Sequence, residues 1–355
     1  MMTEIELKNK LQRISPANQA AKTAAHTHWA NLAKPLGGLG ALESLLENAA
    51  ALTGSEKLDI DKRALFVFCA DNGVVAQGVS QTDQSVTRAV AENLVGQKTS
   101  VCRMAKVAKC EVVPVDIGMA GERVSGMIDR RIMNGTRDFT QGAAMTRGQA
   151  IDAIYAGMNL VRDWKEKSVS LLLTGEMGIG NTTTSGAMAA VLLGQRVESV
   201  AGRGAGLSDE GLKRKVKAIQ RGISVNRPNA GDPLDVLSKV GGLDIAGLCG
   251  VFLGGALYQV PVVMDGLISN VAALCAVRLC PNAEKAVFAS HISSEPAARL
   301  VLNALHKRPL LTADMHLGEG TGAVASLPLW DMALSVYQSC YSFEEGGIEP
   351  YTPQC

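Results

Sequence analysis

The sequence is poor in aromatic residues and has no long apolar run free of charge. Phe, Trp and Tyr make up 4% of its 355 residues, whereas 47% of the residues are apolar. A core of small aliphatic side chains suits helices packed closely on a parallel sheet better than an aromatic-rich β-sandwich or barrel. No window reaches the roughly 18 uncharged apolar residues of a membrane span, so we expect no membrane partner.

A charge excess and metal-ligand motifs are also missing. The 35 basic and 34 acidic side chains nearly cancel, which argues against nucleic acid as a partner and favours a small-molecule ligand. The eight cysteines show no Cys-x-x-Cys spacing, and the histidines show no metal-ligand spacing beyond His26-x-His28, so we expect no metal and no other cofactor. Reduced thiols and an N-terminus that lacks a signal-peptide pattern predict a cytoplasmic protein.

Common nucleotide and hydrolase motifs are absent or incomplete. Neither the P-loop pattern nor G-x-S-x-G occurs in the sequence. Gly178-Ile179-Gly180 resembles the start of a dinucleotide fingerprint, but Thr183 stands where the third glycine belongs. An NAD-linked oxidoreductase, which needs the complete fingerprint, is therefore not supported.

The apolar pattern divides the chain into two parts. The first 60 residues read as alanine-rich helices, interrupted at 34–40 by a proline and three glycines. Short apolar runs then alternate with helix-length stretches, which is typical of βαβ units. We predict an α/β catalytic domain over residues 61–322, with a Rossmann-like parallel sheet and helices on both faces. Residues 1–60 and 323–355 are predicted to form a small helical subdomain.

The predicted strands are 64–69, 111–115, 169–173, 260–264 and 286–289. The predicted helices after residue 61 are 86–108, 149–164, 183–193, 209–223, 245–256, 293–305 and 323–341.

Each predicted strand is followed by polar residues. These are Asp71 with Asn72, Asp116, Glu176, Asp265, and Ser290 with His291. Ligands of open α/β sheets bind outside the carboxyl ends of the strands, so the five endings indicate one crevice. For Asp116 and Asp265, capping of a helix is an equally good interpretation.

Two glutamates that are far apart in the sequence stand among glycines. Glu176 follows Gly175, and Glu319 lies between Gly318 and Gly320. Glycine removes side-chain bulk and permits positive φ, so a ligand can approach the backbone closely at these places. Together, the two segments predict a site that contains both carboxylates.

Two glycine-containing segments precede predicted helices and suit a phosphate group. In the first, Asn181 and Thr182 offer side-chain donors beside Gly178 and Gly180. The amides at a helix N-terminus are free and favour an anion, so this segment is a candidate mononucleotide phosphate site.

The second segment places Gly202, Arg203 and Gly204 before a predicted helix that starts at Asp209. Arg203 is a candidate bidentate phosphate ligand, although an arginine in such a loop is as often structural. Lys215 would add positive charge if it faces the crevice and would do nothing if it faces solvent.

Seven segments, in order, resemble the nicotinate-nucleotide:dimethylbenzimidazole phosphoribosyltransferase family, which activates the lower-ligand base of cobamides such as vitamin B12. The resemblance covers nearly the whole chain. The segments are 34–43 (KPLGGLGALE), 69–74 (CADNGV), 175–183 (GEMGIGNTT), 235–242 (DVLSKVGG), 264–266 (MDG), 290–291 (SH) and 317–322 (LGEGTG).

The resemblance implies transfer of 5-phosphoribosyl from nicotinate mononucleotide to an aromatic base, with inversion at the anomeric carbon. It implies that Glu319 is the general base and Glu176 a second carboxylate of the site, with Leu317 and Gly318 beside them. It also implies that loops 178–180 and 202–206 take the phosphate, with Lys215 and Ser293 as helpers. A homodimer is implied as well.

The base pocket departs from the pattern of the family. Thr82 stands where the best-known members carry serine, and Val90 where they carry a glutamine that bonds the base. An apolar residue there fits phenol or p-cresol, which some relatives attach through oxygen. A further alternative is the non-catalytic subunit of a heterodimer, although intact Glu176 and Glu319 argue against it.

Overall fold

The computed structural model describes residues 2–351 and contains one parallel sheet. Its six strands lie in the order β3-β2-β1-β4-β5-β6. The strands are β1 (Arg63–Ala70), β2 (Glu111–Gly118), β3 (Ile128–Asp129), β4 (Leu171–Met177), β5 (Val262–Met264) and β6 (Val287–Ala289). The strand order reverses between β1 and β4, and a crevice for a ligand opens at such a point.

Helices cover both faces of this sheet, as predicted. All eight residues of β1 are buried, and neighbouring residues of a strand point to opposite faces, so each face must be covered. The helices are α1 (Glu4–Leu11), α2 (Gln19–Asn31), α3 (Ala41–Thr53), α4 (Ser85–Val95), α5 (Ser100–Val107), α6 (Arg147–Glu166), α7 (Asn181–Leu193), α8 (Val197–Val200), α9 (Asp209–Asn226), α10 (Pro233–Val240), α11 (Leu243–Tyr258), α12 (Leu267–Leu279), α13 (Pro296–Ala304) and α14 (Thr321–Ser339).

The expectation of closely packed helices is confirmed where α6 crosses α11. A Cβ on Gly157 would lie 2.0 Å from the carbonyl oxygen of Gly247, and one on Gly250 would lie 1.9 Å from that of Ile154. Only glycine allows two helix backbones to approach this closely.

The predicted elements differ from the structure in several details: helices α8 and α10 were not predicted, and two further differences have a clear physical reason. The predicted helix 86–108 is two helices, α4 and α5. The chain turns between them at Gly96 and Gln97, and Gln97 has a φ of 56°. Strand β3 was not predicted, since it consists of two residues that pair with Val115 and Asp116. No apolar run marks a strand that short.

The C-terminal helix α14 packs on the N-terminal helices, as predicted. The Tyr337 hydroxyl donates to the carbonyl of Glu56 at 3.1 Å, and its ring lies 5.0 Å from that of Trp29. Helix α14 also contacts β4 and α5 of the sheet region. The division into a catalytic domain and a small subdomain therefore stays a prediction.

No helix within residues 2–351 is long and apolar enough to cross a membrane. The same residues hold no group of three or more His, Cys, Asp or Glu side chains arranged for a metal ion.

Candidate active site

A cavity of about 260 Å³ opens at the carboxyl ends of β4, β5 and β6. The sequence placed the crevice at the carboxyl ends of the strands, and the cavity lies there, beside the reversal of the strand order. Its walls are Val90, 176–179, Asn181, Thr182, Gly204, Ala205, 265–269, His291, Ser293, Glu295 and 316–319. Both predicted glutamates thus face the same space.

The two glutamate segments are in direct contact. A Cβ on Gly318 would lie 2.8 Å from Glu176 Oε1, and one on Gly175 would lie 2.5 Å from the carbonyl oxygen of Glu319. The glycines therefore allow the end of β4 and the 318–320 loop to touch. Glu319 itself has a φ of 59° between two glycines with φ of 89° and 91°, a backbone strain that is typical of functional loops.

The Glu319 carboxylate is half-buried, and its Oε2 atom has no hydrogen-bond partner among residues 2–351. Burial raises the pKa of Glu319, the nearby Thr99 hydroxyl opposes the increase, and the charge of Asp265 adds to it. A carboxylate at a cavity wall, with a raised pKa and an oxygen not engaged in a hydrogen bond, is suited to accept a proton.

Glu176 belongs to a buried acidic group at the floor of the cavity. The Asn181 amide donates both to Glu176 and to Asp244 Oδ2, the latter at 3.1 Å. Burial raises the pKa of Glu176 well above its usual range, and the charges of Asp244 and Asp265 add to the effect. Burial also raises the pKa of Asp244 to about 6.

The burial of Asp244 leads to a prediction about the stability of the protein. Asp244 is neutral in both folded and unfolded states well below its ordinary pKa of 3.8, and is ionised in both above about pH 6, at a cost to the folded state alone. Asp244→Asn should therefore raise the free energy of unfolding by about 3 kcal/mol at pH 7.5 and by little at pH 4. Urea unfolding of the wild type and the variant across this pH range measures the difference in their free energies of unfolding. A difference that does not change with pH would contradict the expectation.

Asp265 both caps a helix and lines the cavity. Its carboxylate accepts hydrogen bonds from the backbone amides of Gly320, Gly322 and Ala323 at 3.1, 2.7 and 3.1 Å. These amides belong to the start of α14, so the capped helix is not the one that follows Asp265 in sequence. The contacts hold the loop that carries Glu319.

Two of the five polar strand ends do not reach the cavity, which corrects the sequence prediction. Asp116 pairs with Arg131 and accepts from the amide of Met119 at 3.0 Å. Asp71 accepts from the amide of Ala120 at 2.8 Å, and the Asn72 amide donates to the carbonyl of Ile179. These side chains fix the loops behind the cavity rather than lining it.

The first glycine segment forms the N-terminus of α7 at the cavity wall. Thr182 lines the cavity, and its Oγ1 accepts from Lys215 Nζ at 2.8 Å. The same ammonium donates to the carbonyl of Gly202 at 2.9 Å. Lys215 is fully buried behind this wall, and burial lowers its pKa to about 8 while the charge of Glu295 opposes the decrease.

The second glycine segment is held by an acid. The amide of Gly204 donates to Glu295 Oε1 at 2.9 Å, and Glu295 Oε2 is buried without a partner in the described part of the chain. The contacts of Arg203 match the structural one of its two interpretations, and its role as a phosphate ligand stays a prediction. Its guanidinium pairs with Asp209 and donates to the carbonyl of Leu207 at 2.7 Å. Gly202 and Arg203 border an adjoining depression instead.

Comparison with known proteins supports a single family. A family model described as phosphoribosyltransferase matches residues 14–348. The nicotinate-nucleotide–dimethylbenzimidazole phosphoribosyltransferase of Acetivibrio thermocellus is 46% identical over 91% of this chain and 93% of its own length. That of Ruminiclostridium cellulolyticum is 42% identical over 97% and 98%. The chain belongs to this phosphoribosyltransferase family.

Solved structures of phosphoribosyltransferases agree with this assignment. The crystal structure of CobT from Thermus thermophilus superposes with a TM-score of 0.88 at 38% identity, over 94% of this chain and all of that one. A second crystal structure, of a nicotinate-nucleotide–dimethylbenzimidazole phosphoribosyltransferase from the same organism, has a TM-score of 0.87. The predicted α/β fold and family are both confirmed.

The remaining predicted site residues of this phosphoribosyltransferase divide into two groups. Val90, Ser293, Leu317 and Gly318 line the cavity. Thr82 is exposed and lies outside its lining, because the chain at this point forms a surface turn before α4.

Sequence reasoning missed two acids of the site. Asp244 lies at the start of α11 after Gly241 and Gly242, and Glu295 stands directly before the first residue of α13. Both positions carry a signal, since an acid at a helix start after glycines or before a proline is a common sign of an N-terminus.

Proposed function

We propose that this protein transfers the 5-phosphoribosyl group of nicotinate mononucleotide to 5,6-dimethylbenzimidazole, releasing nicotinate and α-ribazole 5'-phosphate in cobamide biosynthesis. The observation that carries the proposal is the convergence of Glu176 and Glu319 on one cavity beside the N-terminus of α7. The relatives named above are called by this activity.

In the proposed reaction, the bond between the ribosyl C1' and the pyridinium nitrogen breaks, and its electron pair stays on nicotinate. The leaving group is already cationic, so it departs without an acid. The lone pair of one base nitrogen forms the new bond to C1', and the proton on the other ring nitrogen passes to Glu319. Glu319 Oε2, which is buried and forms no hydrogen bond within residues 2–351, is the acceptor atom proposed for this step.

The acidic side chains near Glu319 are suited to stabilise the positive charge of the reactants. Glu176 and Asp265 line the cavity, and Asp244 is bridged to Glu176 by Asn181. Burial disfavours the charged forms of Glu176 and Asp244, as their raised pKa values indicate, and the charges of Asp244 and Asp265 add to the effect at Glu176. The pyridinium of the substrate and the oxocarbenium-like ribosyl group of the transition state supply the missing positive charge.

The substrate phosphate is assigned to Thr182, Gly204 and Lys215. An ammonium has three donors, and Lys215 uses two of them on Thr182 and Gly202. The amide of Gly204 is bound by Glu295, so the phosphate must displace this carboxylate to bind the amide. Lys215 is thus positioned to fix the loops and to attract the anion.

If Lys215 attracts the phosphate, the activity of the enzyme should fall at alkaline pH. Above pH 8 the ammonium loses its charge in the free enzyme, so kcat/KM for nicotinate mononucleotide should fall about tenfold per pH unit while kcat at saturation changes little. Lys215→Gln should remove this decrease in kcat/KM and raise KM about 10- to 100-fold. Lys217→Gln, on the exposed side of the same helix, is the matched control. An unchanged alkaline limb in Lys215→Gln would refute the assignment.

The function is tested by incubating the purified chain with nicotinate mononucleotide and, separately, dimethylbenzimidazole, adenine, phenol and p-cresol. Chromatography and mass spectrometry then detect nicotinate and the riboside phosphate. The expected product is α-ribazole 5'-phosphate. Absence of product with every acceptor, for a folded protein, would favour the partner-subunit alternative.

Val90 supports a second candidate acceptor, because it places an apolar side chain on the cavity wall. Phenol or p-cresol needs no polar partner there. Val90→Gln should raise kcat/KM for benzimidazole relative to p-cresol by about tenfold, the value of one hydrogen bond. The ratio of the two specificity constants measures the effect, and an unchanged ratio would place Val90 outside the base pocket.

A homodimer in the cytoplasm is part of the proposal. The side chain of Leu317 is 55% exposed at the mouth of the cavity, and a second copy of the chain would cover it. Light scattering of the purified protein measures its mass. A monomer that is active only with a second, homologous chain would support the heterodimer instead.

A further inference from the structure

A second cavity lies at the end of β6 opposite the candidate active site, where this strand begins. It has a volume of about 250 Å³ and is bordered by the start of α2, by α3 and by residues 281–287. Val287, the first residue of β6, lines it, whereas His291 beyond the other end of β6 lines the candidate active site. Four residues of extended chain, about 13 Å, separate the two.

Three lysines converge on this second cavity, Lys22, Lys285 and Lys307, against one acid, Glu284. Lys307 Nζ lies 3.3 Å from Glu284 Oε1. Lys285 Nζ donates to the carbonyl of Ser15 at 2.8 Å, and Lys22 has no carboxylate within 4.0 Å in residues 2–351. The lining therefore carries an excess of two positive charges.

The protein around the cavity makes this excess of positive charge energetically unfavourable. Burial lowers the pKa of Lys307; Glu284 opposes the decrease, and the charge of Lys22 adds to it. Burial also lowers the pKa of Lys285. Ala17 and Gln19, at the N-terminus of the 13-residue helix α2, complete the wall, so the helix dipole adds positive potential to that of the lysines.

We propose that this lysine cavity binds a small phosphate-bearing anion, either inorganic phosphate or a compact phosphomonoester. A tetrahedral oxyanion accepts charge-assisted hydrogen bonds from several ammonium groups at once. No aromatic side chain of residues 2–351 lines the cavity, so this part of the chain offers no ring to stack on a nucleobase, and the volume suits a phosphate group with few further atoms. An anion there would join α2 and α3 to the segment before β6.

Soaking crystals of the whole chain with tungstate tests the location directly. The anomalous difference map should show a peak among Lys22, Lys285 and Lys307. A peak in the candidate active site alone would overturn the proposal. This test does not depend on the reaction that the protein catalyses.

Calorimetric titration tests the affinity with two probes, inorganic phosphate and glycerol 3-phosphate. The double variant Lys22→Gln/Lys307→Gln should bind the anion in the lysine cavity at least tenfold more weakly than the wild type. The exposed control Lys57→Gln should keep the wild-type affinity. Tighter binding of glycerol 3-phosphate would identify a phosphomonoester as the ligand, and tighter binding of phosphate the free anion. Equal affinities of wild type and double variant would overturn the proposal.

The single variant Lys285→Gln provides a second measurement if the double variant does not fold. Lys285 and Lys307 both have a lowered pKa, and the ammonium of Lys285 is the less buried of the two. This variant should weaken phosphate binding about threefold or more. Unchanged binding in a folded Lys285→Gln protein, with no tungstate peak, would reject the lysine cavity as a site.

Discussion

Replacing Glu319 by Gln should lower kcat about 10²- to 10⁴-fold, the usual contribution of a general base. The variant keeps the size of the side chain but cannot take the proton of the attacking base. Steady-state rates with saturating nicotinate mononucleotide and dimethylbenzimidazole measure the loss. Because the pKa of Glu319 is raised above its ordinary value by burial, the wild type should also lose activity as the pH falls, and the variant should lack this acid limb.

Glu111→Gln is the matched control for this experiment. Glu111 is exposed at the first residue of β2, at the opposite end of the sheet, so its loss should leave kcat unchanged. Glu319→Gln should remain as stable as wild type, since it removes a partly buried charge whose Oε2 has no partner in the described part of the chain. A stable Glu319→Gln enzyme with kcat within threefold of wild type would show that another group accepts the proton.

The fold class and the convergence of Glu176 and Asp265 were readable from the sequence for one physical reason, whereas Glu319 follows no strand and was predicted from its glycines and the family resemblance. Parallel strands all end at the same edge of a sheet, so residues that follow buried strands converge without further information. Glu176 and Asp265 obey this rule. The rule says nothing about side-chain direction, and Asp116 instead turns to Arg131 of a neighbouring loop.

Arg203 and Lys215 show what local sequence can and cannot decide. Arg203 pairs with Asp209, six residues further on, and nothing in the glycine pattern indicates that this partner prevails over a ligand. The inward direction of Lys215 is different. The buried residues of α9 are Gly211, Lys215, Ala218, Ile219 and Gly222, a spacing of three and four that places Lys215 on the apolar face. The helical period thus answers the question that the composition left open.

Gly175→Ala should damage the site through the backbone alone. The added Cβ would lie 2.5 Å from the carbonyl oxygen of Glu319, 2.6 Å from its carbonyl carbon and 2.8 Å from the nitrogen of Gly320. These are backbone atoms, so no side-chain rotation relieves the contact, and the 318–320 loop must move away from β4. A displacement of about 1 Å at a catalytic group lowers kcat about 100-fold, and overpacking should lower the free energy of unfolding by about 1–3 kcal/mol.

Gly142→Ala is the control that separates this effect from the general consequences of adding a methyl group. A Cβ on Gly142 meets no atom within 4 Å, and its φ lies outside the left-handed region, so both kcat and stability should be retained. If Gly175→Ala also retained the wild-type kcat, the loop would tolerate displacement and its contact with β4 would not position Glu319. If the variant lost stability but recovered kcat at low temperature, the contact would serve folding rather than catalysis. Loss of kcat in a folded protein would tie the glycine before Glu176 to the placement of the distant Glu319.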